Sequence, residues 1–279
     1  MGDDPKGDSK GDSKRDLSRD LLPSAGENID PVEMARRDQR KALPRRFYKS
    51  AGTREDNGQY ALLLDGRPAL TPARNPLAVP SAKLAQLLVD EWDAQQEVID
   101  PSAMPVTRIV NSALDGVARD IEAVRAEVVK YAGSDLLCYR AGEPEALVGE
   151  QRKAWDPIIG WMREAHDAPF VLAEGIVHAA QPDETIAAVR KVVKAATGEG
   201  AAAPLKAAAL STVTTLTGSA LLALALASGK LTADEAWAAA HVDEDHQARV
   251  WGADAEAVER QARRKIEMDA AAAVLAALS

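Results

Sequence analysis

Cysteine occurs once in the 279 residues, at position 138. A single thiol excludes an intramolecular disulfide and any CxxC zinc or redox motif. That usage fits a reducing cytoplasm. Histidine is also scarce, with four residues at 166, 178, 241 and 246, and neither an HExxH motif nor a cysteine cluster accompanies them. Aromatic residues make up only 4% of the chain, and no basic stripe interleaved with aromatics offers a nucleic-acid face. There is no GxSxG elbow, no Walker loop, and no GxGxxG following a strand. The N-terminus lacks the apolar run of a secretory signal, and its aspartates are unlike an acid-poor transit peptide, so a cytoplasmic protein is expected.

Charge is plentiful but uneven. Residues 1–46 carry 11 basic and 10 acidic groups, whereas the other 233 carry 23 basic and 33 acidic, a net charge of −10. Residues 1–44 are rich in Asp, Lys, Ser and Gly. Such a composition cannot offset the entropy of ordering the backbone, so a disordered charged tail is expected there.

From Arg46 the texture changes. Asn57-Gly58 and Asp65-Gly66 are type I′ turn signals between β-prone runs. They predict a small meander with strands near 47–50, 59–64 and 67–71. Pro68, Pro72, Pro76 and Pro80 then break regular pairing and leave an edge or extended loop. Ser81 reads as the N-cap of a helix whose Leu84, Leu87, Leu88, Glu91, Trp92 and Gln95 share one face, with Trp92 packing it onto the sheet. Residues 45–103 are thus expected to form a small α+β domain. Beyond a proline-bounded linker nearly every stretch has helical period, and residues 104–279 are expected to form a helical bundle. Its predicted helices lie near 106–115, 119–131, 144–166, 182–196, 203–227, 232–250 and 253–277. The run between His166 and Pro182 is open between extended and irregular structure.

Residues 207–229 contain no charge and are long enough to span a bilayer. Ser211, Thr212, Thr214, Thr215 and Thr217 crowd the first half, and no aromatic belt flanks the run. A central helix of a soluble bundle, with hydroxyls bonding back to the preceding turn, is the favoured reading. A membrane-anchored adaptor is an alternative. Thr197 to Gly200 reads as a helix stop rather than a phosphate cradle. Cys138 has Asp135 three residues before it and no adjacent histidine, so a buried thiol is expected rather than a nucleophile.

The stretch HVDEDHQARVWG, beginning at His241, sets three acids between two histidines. Thr232 and Glu235 form a capping box, which starts a helix that continues through the acids. On that register Trp237, His241, Glu244, Ala248 and Trp251 share one stripe. Asp245 is expected to pair with Arg249 at i+4, and Asp243 to be solvated. Glu244 would then lie between two tryptophans and require a tertiary cation, a proton, or a group on another protein. His241 and Asp245 could instead give two ligands of a metal-dependent hydrolase, an alternative short of a full ligand set.

The order RRFYK, YALLLDGRPALTPARNPLAVPS, EWDAQQEVIDPSAMPVTRIVNSALD, DLLCYRA, WDPIIGW and QARVWG resembles the ATP-twelve family of chaperones. The resemblance runs from about Arg45 to Ala262 and leaves the charged tail outside. It implies an α+β protein with a small meander domain before a larger, orthogonal helical bundle, with no catalytic residues and no cofactor. The implied partner is the unassembled alpha subunit of the F-type ATP synthase head, whose assembly with the beta subunit would be promoted. A monomer in the bacterial cytoplasm, without stable membrane insertion, is implied. The family's acidic-helix pattern falls on Asp243, Glu244, Asp245, Gln247 and Trp251 as partner-binding residues, with Glu244 matching the family's glutamate. Gly252, Trp237 and Trp92 would be structural. Downstream of Gly252, ADAEAVERQ departs from the family by lacking a histidine-acid pair.

Overall fold

The computed structural model describes residues 43–175 and 177–279, so nearly all of the expected charged tail lies outside the described residues. Residues 44–279 form one compact unit. The architecture is α+β, a small strand region followed mainly by helices.

The two turn signals set the sheet. Asn57 and Gly58 both have positive φ, as do Asp65 and Gly66, which matches the twist of the flanking strands. They join β1 (Ala51–Asp56) to β2 (Gln59–Leu64) and β2 to β3 (Arg67–Pro68). All pairing is antiparallel, with Asp56 opposite Gln59 and Leu64 opposite Arg67. β4 (Ala78–Val79) pairs with the other end of β2, setting Val79 against Tyr60.

The strand expected at 47–50 is therefore displaced to 51–56. A two-residue turn at 57–58 forces pairing to begin at Asp56, and the charged, exposed outer strand shows no apolar alternation in sequence. The strand expected at 67–71 shortens to two residues. Pro68 cannot donate to a ladder, and only an isolated bridge joins Leu70 to Pro76.

α1 (Ala82–Asp93) packs its apolar face on this sheet, with Leu84 and Leu88 fully buried. Ser81 caps it by accepting from Leu84 N at 3.4 Å, and the same hydroxyl donates to Ala277 O at 2.6 Å. Trp92 packs against Tyr48, whose hydroxyl donates to Trp92 O at 2.7 Å. Trp92 thus joins α1 to the segment that precedes β1. Glu91 reaches forward to α2 (Pro105–Asp115), accepting from Val106 N and Thr107 N at 2.7 Å each. A carboxylate there satisfies two of the amides left open at a helix start. At the other end of α2, Asp115 accepts from Thr71 Oγ1, Ala73 N and Asn75 Nδ2. One end of α2 is thereby tied to α1 and the other to the loop between β3 and β4.

The remaining helices are α3 (Ile121–Ala132), α4 (Glu145–His166), α5 (Asp183–Thr197), α6 (Ala203–Thr217), α7 (Ala220–Ala227), α8 (Ala233–Ala240), α9 (Val242–Trp251) and α10 (Ala255–Ala277). The segment left open before Pro182 includes β6 (Ala173–Glu174), parallel to β5 (Tyr139–Arg140). Residues 220–225 of α7 are all buried, so its all-apolar sequence reflects a central position.

The helix expected over 203–227 is two helices. Gly218 takes a left-handed conformation, and Ser219 caps α7 through Leu222 N at 3.0 Å. Thr212, Thr214, Thr215 and Thr217 donate to carbonyls four residues back at 2.8–2.9 Å. Division at Gly218 ends the transmembrane alternative: no helix among the described residues is long and apolar enough to cross a membrane.

Asp135 explains where α7 begins. Its buried carboxylate accepts from Ser219 Oγ at 2.6 Å, Leu221 N at 3.1 Å and Leu137 N at 3.1 Å. Burial pushes its pKa up to about 6, against the pull of these donors. Nearby Cys138 is buried too, and burial with the Asp135 charge lifts its thiol to about 12. Such a thiol is a small core residue and not a nucleophile. Thr197 and Gly198 end α5 as a helix stop, and Arg125 secures them through Thr197 Oγ1 and Gly198 O.

Candidate functional site

The acidic helix is built in three steps. First, Thr232 and Glu235 form the capping box: Thr232 Oγ1 accepts from Glu235 N at 3.2 Å, and Glu235 accepts from Thr232 N at 2.8 Å. The Thr232 N–H, and the Thr232 hydroxyl at 3.0 Å, hold the Glu235 carboxyl below its ordinary range. The sequence places the start of α8 correctly.

Second, the expected continuous helix breaks at His241. Trp155, fully buried on α4, donates from Nε1 to Ala239 O at 2.7 Å. His241 Nδ1 lies 2.8 Å from Trp237 O and must donate to it, while the two rings pack at a tilt of 37° with centroids 4.0 Å apart. Two carbonyls of the last turn of α8 are thus taken by side chains. His241 leaves helical geometry at φ −118°, ψ 20°, and α9 restarts at Val242. Trp237 therefore does not share a continuous stripe with Glu244. Its position beside His241 makes it a support for the break.

Third, α9 is moored to α4 by polar contacts. Asp243, expected to be solvated, is half-buried and accepts from Gln151 Nε2 at 2.7 Å. Gln151 is itself buried and accepts from Ala141 N at 2.8 Å. Arg249, expected to pair with Asp245, instead donates to Glu150, which also faces His246 Nδ1 at 3.3 Å. The i+4 geometry was available to Asp245, but Glu150 offers Arg249 a fixed position on another helix. Exposed pairs of this kind contribute only about 0–1 kcal/mol each. The buried Gln151 relay is the firmer mooring.

The outward side of α9 differs. Glu244, Gln247 and Trp251 follow i, i+3, i+7 spacing and form one stripe, and all three are exposed. Trp251 is 85% exposed and its neighbour Val250 57%. In place of the expected stripe between two tryptophans, α9 thus carries a surface ridge, with one acid at one end and a bare indole at the other. Asp245 is exposed but lies off that ridge. Gly252 ends the helix at φ 91°, ψ 153°, a conformation open essentially to glycine alone. An added Cβ would meet nothing within 4 Å, so backbone conformation alone demands glycine there.

The metal alternative finds no support. His241 is committed to the Trp237 carbonyl, and no group of three His, Cys, Asp or Glu among the described residues is disposed to hold an ion. Glu150, Gln151 and Trp155 escape a sequence reading of this region. Their only signal is the i, i+4 relation of Gln151 and Trp155, which puts them on one face of a long helix.

Comparison with known proteins bears on this arrangement. A family model described as ATP12 chaperone protein matches residues 45–163. The mitochondrial protein atp12 of Schizosaccharomyces pombe is 28% identical over 123 residues, and the match spans 41% of this chain and 42% of that relative's length. The crystal structure of Atp12 from Paracoccus denitrificans is 39% identical, with 85% of this chain and 99% of that chain covered at a TM-score of 0.77. The Atu1473 protein of Agrobacterium tumefaciens, described as a putative chaperone, is 50% identical, with 91% and 93% covered at a TM-score of 0.81.

Proposed function

The chain belongs to the ATP12 chaperone family, and from that premise we propose that it is an assembly chaperone for the F-type ATP synthase. Its client is the unassembled alpha subunit, which it holds until the beta subunit takes its place. The reading includes a monomer acting in the bacterial cytoplasm without catalysis or cofactor. It also keeps the division into a strand-bearing part to about residue 103 and a bundle thereafter.

The observation that carries this reading is the outward ridge of α9. An indole 85% exposed beside a 57% exposed Val250, at the end of a moored helix, offers apolar surface to a partner. Covering such a side chain contributes about 3–5 kcal/mol before the cost of association. Glu244 and Gln247 supply a polar rim beside it, which gives specificity and a fast encounter without permanent adhesion. A holder that must release its client needs that balance. Asp243 serves the ridge indirectly by fixing α9 on Gln151, and Asp245 adds charge at its margin.

Capture of purified alpha subunit by Glu244→Gln and Trp251→Ala variants tests the reading. Both side chains are exposed, so both variants are expected to weaken capture while melting stays within about 1 °C of the native chain. Undiminished capture by both variants would remove α9 from the client surface.

A further inference from the structure

A second apolar opening lies on the strand region. Phe47, Tyr48, Leu64, Arg67, Leu70 and Trp92 line a groove of about 600 Å³. Tyr48 and Leu64 are continuous with the core, whereas Phe47 is 71% and Leu70 54% exposed. The groove has an apolar base and two uncovered apolar side chains along it.

It is preformed. The Arg46 guanidinium donates to the carbonyls of Tyr48, Lys49 and Asp93 at 3.0–3.2 Å, which fixes the backbone on both sides of Phe47. Asp65 accepts from Lys49 N and Ser50 N at 3.0 Å each, and these donors hold its carboxyl below the ordinary range. With Asp65 so engaged, the charge left for a ligand is Arg67. It is exposed and makes no ion pair among the described residues. In a body of net charge −10, an open guanidinium on an apolar groove selects a carboxylate. Trp92 forms part of the groove wall, and its indole N–H has no acceptor among the described residues. Pro68 at this edge lacks the N–H that an added strand would need, so recognition falls to side chains rather than strand pairing.

We propose that this groove docks an extended segment of the client, seating an apolar side chain against Phe47 and Leu70 with a neighbouring carboxylate on Arg67. The inference rests on the reading of the protein as a holder of the alpha subunit. It adds a contact on elements separate from α9.

The test uses the full chain and separately expressed alpha subunit. Arg67→Glu and Phe47→Ser are each expected to weaken capture by about tenfold, with Arg67→Lys losing less and melting unchanged. Overlapping short peptides from the alpha sequence should be retained by the native chain only where an apolar residue adjoins Asp or Glu. Replacing that acid with Lys should restore binding to the Arg67→Glu chain. If Arg67→Glu and Phe47→Ser capture alpha as the native chain does while Trp251→Ala does not, the groove inference falls and the function stands. If the native chain captures no alpha subunit, both fall. Loss of self-association by Arg67→Glu without change in alpha capture would assign the groove to a second copy and overturn the proposal.

Discussion

Asp135→Asn separates the two forces that meet at the buried start of α7. In the native chain burial raises this carboxyl from 3.8 to about 6. A group whose folded pKa is raised stabilises the fold fully below its unfolded value, and that contribution is lost as pH rises through the folded value. Integrating the shift between about pH 4 and about pH 7.5 gives a loss of about 2–3 kcal/mol. Asparagine does not titrate and shows no such loss. It carries a separate cost, because its amide nitrogen must face one of the donors Ser219 Oγ, Leu221 N or Leu137 N. That cost is about 1–3 kcal/mol and constant with pH. The slope of the difference is therefore the informative quantity. Urea denaturation of both proteins across this range should show the native chain losing about 2–3 kcal/mol relative to Asp135→Asn as pH rises. If the native chain gains on the variant instead, the donors and the α7 amides outweigh desolvation, and burial is not what sets this carboxyl.

Two further substitutions probe how α9 is held. Gly252→Ala must adopt φ 91°, ψ 153° in open space, so a purely conformational cost of about 1–3 kcal/mol is expected. Calorimetry should read this as a fall of about 3–10 °C in Tm, and a Tm within about 1 °C of native would show that the turn rearranges freely. Gln151→Ala removes the acceptor for Ala141 N and the donor to Asp243. Hydrogen exchange should accelerate across 242–251 by more than in α7; unchanged protection there would mean that Glu150 alone moors the helix.

The parts legible in the sequence are those fixed by neighbours in the chain. Asn57-Gly58 and Asp65-Gly66 need positive φ, Ser81 caps the helix it precedes, and Thr232 and Glu235 close a box within one turn. The features that differ from expectation along α8 and α9 involve partners far along the chain. α8 stops because Trp155, 84 residues earlier, takes the Ala239 carbonyl. Arg249 abandons its helical neighbour Asp245 for Glu150, 99 residues away. Asp135 looks like an ordinary cap of its own short turn until Ser219 is folded against it. Periodicity does put Glu244 and Trp251 on one face, but whether that face looks inward or outward depends on what α4 offers across the gap. Phe47 and Leu70 give no sequence signal, since a lone apolar residue beside a turn is as often core as groove.

The central claim is that this chain holds an unassembled alpha subunit. Its most direct test is co-purification of the full chain with separately expressed alpha and beta subunits, each presented alone and then together. Retention of alpha alone, no retention of beta alone, and release of alpha when beta is added are the predicted results. Retention of beta in preference to alpha would contradict the claim.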